Sequence, residues 1–240
     1  MTGVAQSSSE TDEAIRLRDV IKIYRDGDVE TIALRGVDLS IKHGEFVAVM
    51  GRSGSGKTTL LNLLAGADRP TAGQVMIDGI ALDRADEGHR QKLRGRSVGI
   101  VFQTQNLVPF LTLAENVRLV DLLANGGSSG PTEDELLERV GLRDRAGHRP
   151  DALSGGEQQR AALACVLAAN PAVLLADEIT GELDSVSAAA LMDLVRAAHR
   201  ERGMTVVLVT HDPAVAESAQ RIVRLADGRV VDDRLTGTAA

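Results

Sequence analysis

Apolar positions recur at two spacings along this chain, and the spacings predict different elements. Residues 17–24 and 37–42 alternate apolar and polar side chains, the period of a half-buried strand, and His43-Gly44 supplies a turn after the second. Phe46-Val47-Ala48-Val49-Met50 is instead a short continuous apolar run that stops at a glycine-rich stretch, the mark of a strand buried on both faces. Residues 98–102, 173–176 and 205–209 repeat that mark. Leucines at helical spacing over 58–65 and an apolar stripe over 186–201 predict helices between the strands. Buried strands alternating with helices define an α/β core. Residues 104–167 break the alternation: they have little strand character and several helical stretches, which predicts an inserted helical subdomain. Its glycine- and serine-rich break at 125–131 reads equally as a plain surface loop or as a functional one. Residues 1–14, rich in Ser, Thr and acid, are expected to be a flexible tail, and 236–240 a second short tail.

Composition narrows the function classes. At 240 residues the chain fits one domain with an insertion. A net charge of −7 gives no electrostatic reason to expect a nucleic-acid partner. Tyr24, Phe46, Phe102 and Phe110 are the only aromatics, too few for a base-stacking platform. The single cysteine, Cys165, rules out an internal disulfide and suits a reducing compartment. The polar, acidic start does not read as a secretory signal, and no apolar run approaches the ~20 residues that span a bilayer. A cytoplasmic location is expected, with any membrane link made through a partner.

The chemistry is concentrated in ordered motifs. Gly51-Arg52-Ser53-Gly54-Ser55-Gly56-Lys57-Thr58 fits the eight positions of a phosphate loop between a buried strand and a helix. Successive N–H groups from Gly51 through Thr59, including Ser53 and Ser55, converge on phosphate oxygens in such a loop, and the helix N-terminus adds its dipole. Lys57 is expected to reach the terminal phosphates of ATP, and the Thr58 hydroxyl to ligate Mg²⁺. The strand at 173–176 ends in Asp177 and Glu178: Asp177 is placed to hold Mg²⁺ and Glu178 to orient or deprotonate the attacking water. His211, after the strand at 205–209, is a candidate sensor of the γ-phosphate. Gln103, after 98–102, is a candidate ligand of Mg²⁺ or of the nucleophilic water. Tyr24 reads either as a ring stacked on adenine or as a core tyrosine.

One motif is left over: Leu153-Ser154-Gly155-Gly156-Glu157-Gln158-Gln159-Arg160. With the phosphate loop upstream and Asp177-Glu178 downstream, it makes residues 15–235 resemble the nucleotide-binding subunit of ABC transporters. The resemblance implies a phosphate-loop NTPase (RecA-like) core with an N-terminal antiparallel β subdomain and the helical insert. It further implies a head-to-tail dimer enclosing two ATP, in which Ser154 and Gly156 reach the γ-phosphate held by the second copy. Asp184 matches the loop that crosses that interface, Gln103 the loop that leads into the insert, and His211 the switch histidine. The implied partner is an integral membrane permease, with this subunit at the cytoplasmic face of the membrane.

Three local features resemble the macrolide-export and lipoprotein-release group, whose relatives include the cell-division ABC ATPase: the acidic segment 24–31, the segment 111–117, and Ala176 before Asp177-Glu178. The chain departs from the family at Ile179, where Pro is usual, at Cys165, often Arg, and at Glu182, commonly Asn or Ala. The apolar cluster 106–111 reads either as a docking surface for the permease or as the insert's own small core. Rival readings are a soluble ABC protein of DNA repair or translation, which would carry long coiled-coil insertions or two cassettes, an importer ATPase, and a small-molecule kinase, which has no use for 153–160.

Overall fold

A computed structural model describes residues 12–104, 106–127 and 130–237. Strands β1 (Glu13–Asp26) and β2 (Val29–Lys42) form a long antiparallel hairpin about a Gly27-Asp28 turn, and β3 (Phe46–Met50) leads through the glycine-rich loop into helix α1 (Lys57–Leu64). β4 (Ala72–Ile77) pairs with β1, and β5 (Ile80–Ala81) closes this first sheet in the order β2-β1-β4-β5. After α2 (Glu87–Lys92) and β6 (Val98–Val101), the helical insert contributes α3 (Leu113–Asn125), α4 (Glu133–Arg139) and α5 (Gly155–Ala168). The chain then returns through β7 (Val173–Asp177), α6 (Ser185–Arg202), β8 (Thr205–Thr210), α7 (Pro213–Ala216), β9 (Arg221–Ala226) and β10 (Arg229–Leu235).

The second sheet runs β10-β9-β3-β8-β7-β6, parallel except for the β9–β10 hairpin. Its central strands are continuous apolar runs because each face lies in a core. Phe46, Ala48, Leu174, Ala176, Val206 and Leu208 pack toward α5 and α6. Val47, Val49, Val173, Leu175, Val207 and Val209 pack toward the leucines of α1 and the first sheet. That split follows from side chains alternating across a strand. Register then fixes the site: Met50 lies beside Thr210, Val209 beside Asp177, and Val101 beside Ala176. The carboxyl ends of β3, β8, β7 and β6 share one edge, where parallel α/β sheets bind ligands.

Several expectations shift at their boundaries. Glu13 and Ala14, assigned to the tail, belong to β1: Ala14 is fully buried, and the Glu13 carboxylate accepts from the Ser40 hydroxyl at 2.7 Å. At the other end Thr236 is anchored, its N–H on the Gln220 carbonyl at 2.9 Å. Residues 1–11 and 238–240 of the two tails lie outside the described residues, as do 128–129 within the 125–131 break. Asn125 ends α3, and Gly126 caps it at φ +72°. The insert's last helix runs one residue past 167. Ile179 is buried in the helical-side core. So is Cys165, whose thiol burial pushes up to about 12, which makes it an inert packing group.

Candidate nucleotide site

The phosphate loop is seated so closely that side chains are excluded at Gly51 and Gly56. A Cβ on Gly51 would lie 2.4 Å from the Leu225 carbonyl oxygen, and one on Gly56 2.6 Å from that of Ala33. Gly56 also takes φ +102°, which glycine alone adopts readily. Lys57, opening α1, is only 7% exposed; its ammonium donates to the carbonyls of Gly51 at 2.8 Å and Arg52 at 3.1 Å. The buried Ser55 hydroxyl oxygen has no hydrogen-bond partner among the described residues.

Facing the loop, Glu178 sits at φ +51°, a left-handed backbone that a non-glycine residue adopts only where its surroundings enforce it. Its N–H donates to the Val209 carbonyl at 2.9 Å, and its own carbonyl accepts from Gly181 at 2.9 Å. One carboxylate oxygen pairs with His211 Nδ1, and the other lies 4.0 Å from Lys57 Nζ. A carboxylate only accepts, so this pairing places the imidazole proton on Nδ1. Burial raises the Asp177 carboxyl above its ordinary range; the Glu178 charge adds to the rise and Lys57 works against it. A cation next to Asp177 relieves that cost. Among the described residues no three His, Cys, Asp or Glu side chains form a metal cage.

The Asp177 shift carries a stability prediction. A carboxyl whose folded pKa is raised destabilises the fold fully above that pKa and not at all below the unfolded value near 4. Asp177→Asn is therefore expected to raise the thermal midpoint of the nucleotide-free protein at pH 7. The gain should vanish as the pH falls through the raised pKa toward about 4. Equal midpoints at pH 7, by calorimetry without nucleotide, would show that Asp177 carries no such cost.

A cavity of about 690 Å³ is lined by Lys57, Thr58, Thr59, Gln103, Glu178 and His211, with Ser53, Gly54 and residues 31–33, whereas Gly51, Ser55 and Asp177 lie behind its lining. Tyr24 stands at its margin. The phenol donates to Asp68 at 2.9 Å and is hydrogen-bonded to Thr59, while Lys22 Nζ lies 4.7 Å from the ring centroid. At 40% exposed, Tyr24 is not a core residue.

Ser154, Gly156 and Asp184 do not line this cavity. Ser154 caps α5 in a reciprocal capping box with Glu157. Asp184 caps α6, accepting from Val186 N and Ser187 N, each at 3.0 Å. A Cβ on Gly156 would lie 3.3 Å from Ser187, so these two helix starts adjoin. The structure thus sorts the sequence-derived residues into two constellations on one chain.

Gln103 lies between them. Its side-chain amide donates to Glu182 at 3.2 Å. Its backbone carbonyl accepts from the buried amide of Gln159, which also reaches the Phe102 carbonyl at 3.2 Å. Gln159 and Asn116 lie in the 153–160 and 111–117 segments, where the sequence gives neither a role of its own, and both hold backbone in place. Asn116, 3% exposed, stitches the 108–112 loop through Val108 N at 2.7 Å and the Thr112 carbonyl at 2.9 Å. The available signal was a polar side chain on a buried helical face.

A phosphate loop at the carboxyl edge of a parallel sheet, with an Asp-Glu pair on the next strand but one, defines a phosphate-loop NTPase. The family model described as "ABC transporter" matches residues 34–181. The dimeric ATP-binding cassette MJ0796 of Methanocaldococcus jannaschii, in a post-hydrolysis state with ADP and Pi, superposes with a TM-score of 0.85 at 40% identity, covering 94% of this chain and all of that one. The lipoprotein-releasing system ATP-binding protein LolD of Anaeromyxobacter dehalogenans is 45% identical across 91% of this chain and 93% of its own length. The macrolide export ATP-binding/permease protein MacB of Syntrophobacter fumaroxidans is 44% identical across 90% of this chain, which spans only 31% of that protein. The chain belongs to the ABC transporter ATP-binding family, and it is an ATP-binding ATPase of that class.

Proposed function

We propose that the chain is the ATP-hydrolysing subunit of a membrane complex, that two copies meet head to tail around two ATP and Mg²⁺, and that the pair drives a permease for export, lipid or lipoprotein extraction, or transmembrane mechanical signalling. The observation that carries this reading is the division of the site: the phosphate loop, Glu178 and His211 line the Lys57 cavity, while Ser154 and Gly156 do not reach it. The MJ0796 relative, whose solved form is a dimer, supports the pairing.

In this reading the loop N–H groups and Lys57 hold the β and γ phosphates, and the second copy's Ser154 and Gly156 close over them with the positive end of α5. Tyr24 presents a ring face to adenine. Thr58, Asp177 and Gln103 would hold Mg²⁺, which offsets phosphate charge when bound. Glu178 takes a proton from water as its oxygen attacks the γ-phosphorus, the bond to the bridging oxygen breaks, and ADP leaves with the electron pair. His211 holds the Glu178 carboxylate in place.

Among the described residues no helix is long and apolar enough to cross a membrane, so the membrane link rests on a docking surface. Phe110 is 70% exposed and absent from both cores, which removes it as a core residue. Next to it a groove of about 760 Å³ opens between 106–109 and the start of α5. The test is co-purification of tagged protein from detergent-solubilised native membranes with ATP, companions being identified by mass spectrometry. A permease is expected with the parent sequence. Phe110→Asp should lose it while ATP affinity stays within about twofold, as a surface change distant from the phosphate loop should leave it. Equal loss of permease and ATP would make Phe110 structural. A parent protein that recovers no membrane companion would overturn the proposed function.

A further inference from the structure

We propose that Glu182 is a latch on Gln103, and that a basic side chain on the permease segment seated in the groove opens it. The inference rests on the permease reading above and specifies the chemistry of the contact.

Gln103 lines both the nucleotide cavity and the groove, whereas Glu182 lines the groove alone. The Gln103 amide is turned to the groove side, donating to Glu182 Oε1 at 3.2 Å. It has a short way to go to reach the reacting groups. A Cβ built on Gly181 would stand 3.6 Å from Gln103 Nε2 and 3.8 Å from Glu178 Oε2, so the amide and the Glu178 carboxylate flank the same bare glycine. The backbone does not need to move: Gln159 and Asn106 hold the 102–103 segment through its carbonyls. A side-chain rotation alone carries the amide from Glu182 to the nucleotide side.

The groove states what would trigger that rotation. Apolar Leu107, Val108, Ile179 and Leu183 alternate in its walls with neutral polar side chains such as Asn106 and Gln158, and among the described residues its charged lining is the carboxylates of Glu182 and Asp151, with no Lys, Arg or His. A trough with apolar side chains and two acids that form no ion pair among the described residues selects a segment that carries apolar side chains and a cation. An arginine fork paired with Glu182 satisfies both carboxylate oxygens and competes directly with the Gln103 amide. Occupation of the groove then frees Gln103 for the nucleotide, so hydrolysis rises when the partner is present. Glu182 is a positioning residue that acts through Gln103.

The test has two arms. In the first, purified protein without any partner is assayed as a double-mutant cycle of Glu182→Ala and Gln103→Ala. Glu182→Ala is expected to raise kcat about threefold with KM for ATP unchanged, and to have no effect in the Gln103→Ala background. An effect of Glu182→Ala that persists without Gln103 would overturn the latch. In the second arm, tagged parent and Glu182→Lys proteins are carried through native membranes as above. The charge reversal should lose the permease that the parent retains. Equal retention by both would remove the basic contact while leaving the permease reading intact; no retention even by the parent would instead remove that reading.

Discussion

Glu178→Gln should lower steady-state ATP turnover by about 10²–10³-fold, within the range that a positioned general base contributes. The substitution keeps the volume of the side chain and removes only its charge. Backbone placement does not depend on that charge, because the φ +51° conformation is held by main-chain bonds to Val209 and Gly181. His211 can still bond the amide oxygen. What disappears is the group able to accept a proton from water. ATP affinity should stay level or rise, since a carboxylate 4.0 Å from Lys57 no longer competes with the γ-phosphate for it. The variant should therefore accumulate as an ATP-bound dimer, read by size-exclusion chromatography with ATP against ADP, alongside single-turnover hydrolysis. Hydrolysis within about twofold of the parent would assign the base elsewhere, because a general base is worth far more than that.

How much of this was legible in the sequence depends on what each contact needs. The strands β3, β7 and β8 showed themselves because both faces are buried, so no polar position interrupts the run. The strands β9 and β10 did not. Arg221 sits in β9 with its guanidinium on Asp233 at 2.6 Å and Glu45 at 3.0 Å, and most of β10 faces solvent, so charge hides the period. The loop at 51–58 is legible because backbone approach to phosphate fixes glycine spacing. The environment of Tyr24 is not, since nothing in the sequence couples it to Asp68 and Lys22. The same holds for Glu182: sequence marked it as unusual, but its partnership with Gln103, 79 positions away, exists only through the fold.

The separation of the site into two constellations leads to a prediction that needs no partner protein. Lys57→Ala removes the ammonium that the phosphate loop holds over its own carbonyls. Ser154→Asp is chosen to spare the fold: aspartate caps a helix as well as serine, but in the proposed head-to-tail dimer it would set a negative charge against the other copy's γ-phosphate. Each variant alone should lose at least about 10²-fold in ATPase activity, the scale on which removing a charge-stabilising group acts. Mixing them should restore it. A mixed dimer pairs one doubly altered site with one intact site, built from the Lys57 of one chain and the Ser154 of the other. With random pairing and independent sites, an equimolar mixture should recover about a quarter of parent activity. Ser154→Asn, a neutral cap, separates charge from capping: it should retain far more activity than Ser154→Asp. If the mixture only averages its parents, each chain completes its own site, and Ser154 does not act on a second copy's nucleotide.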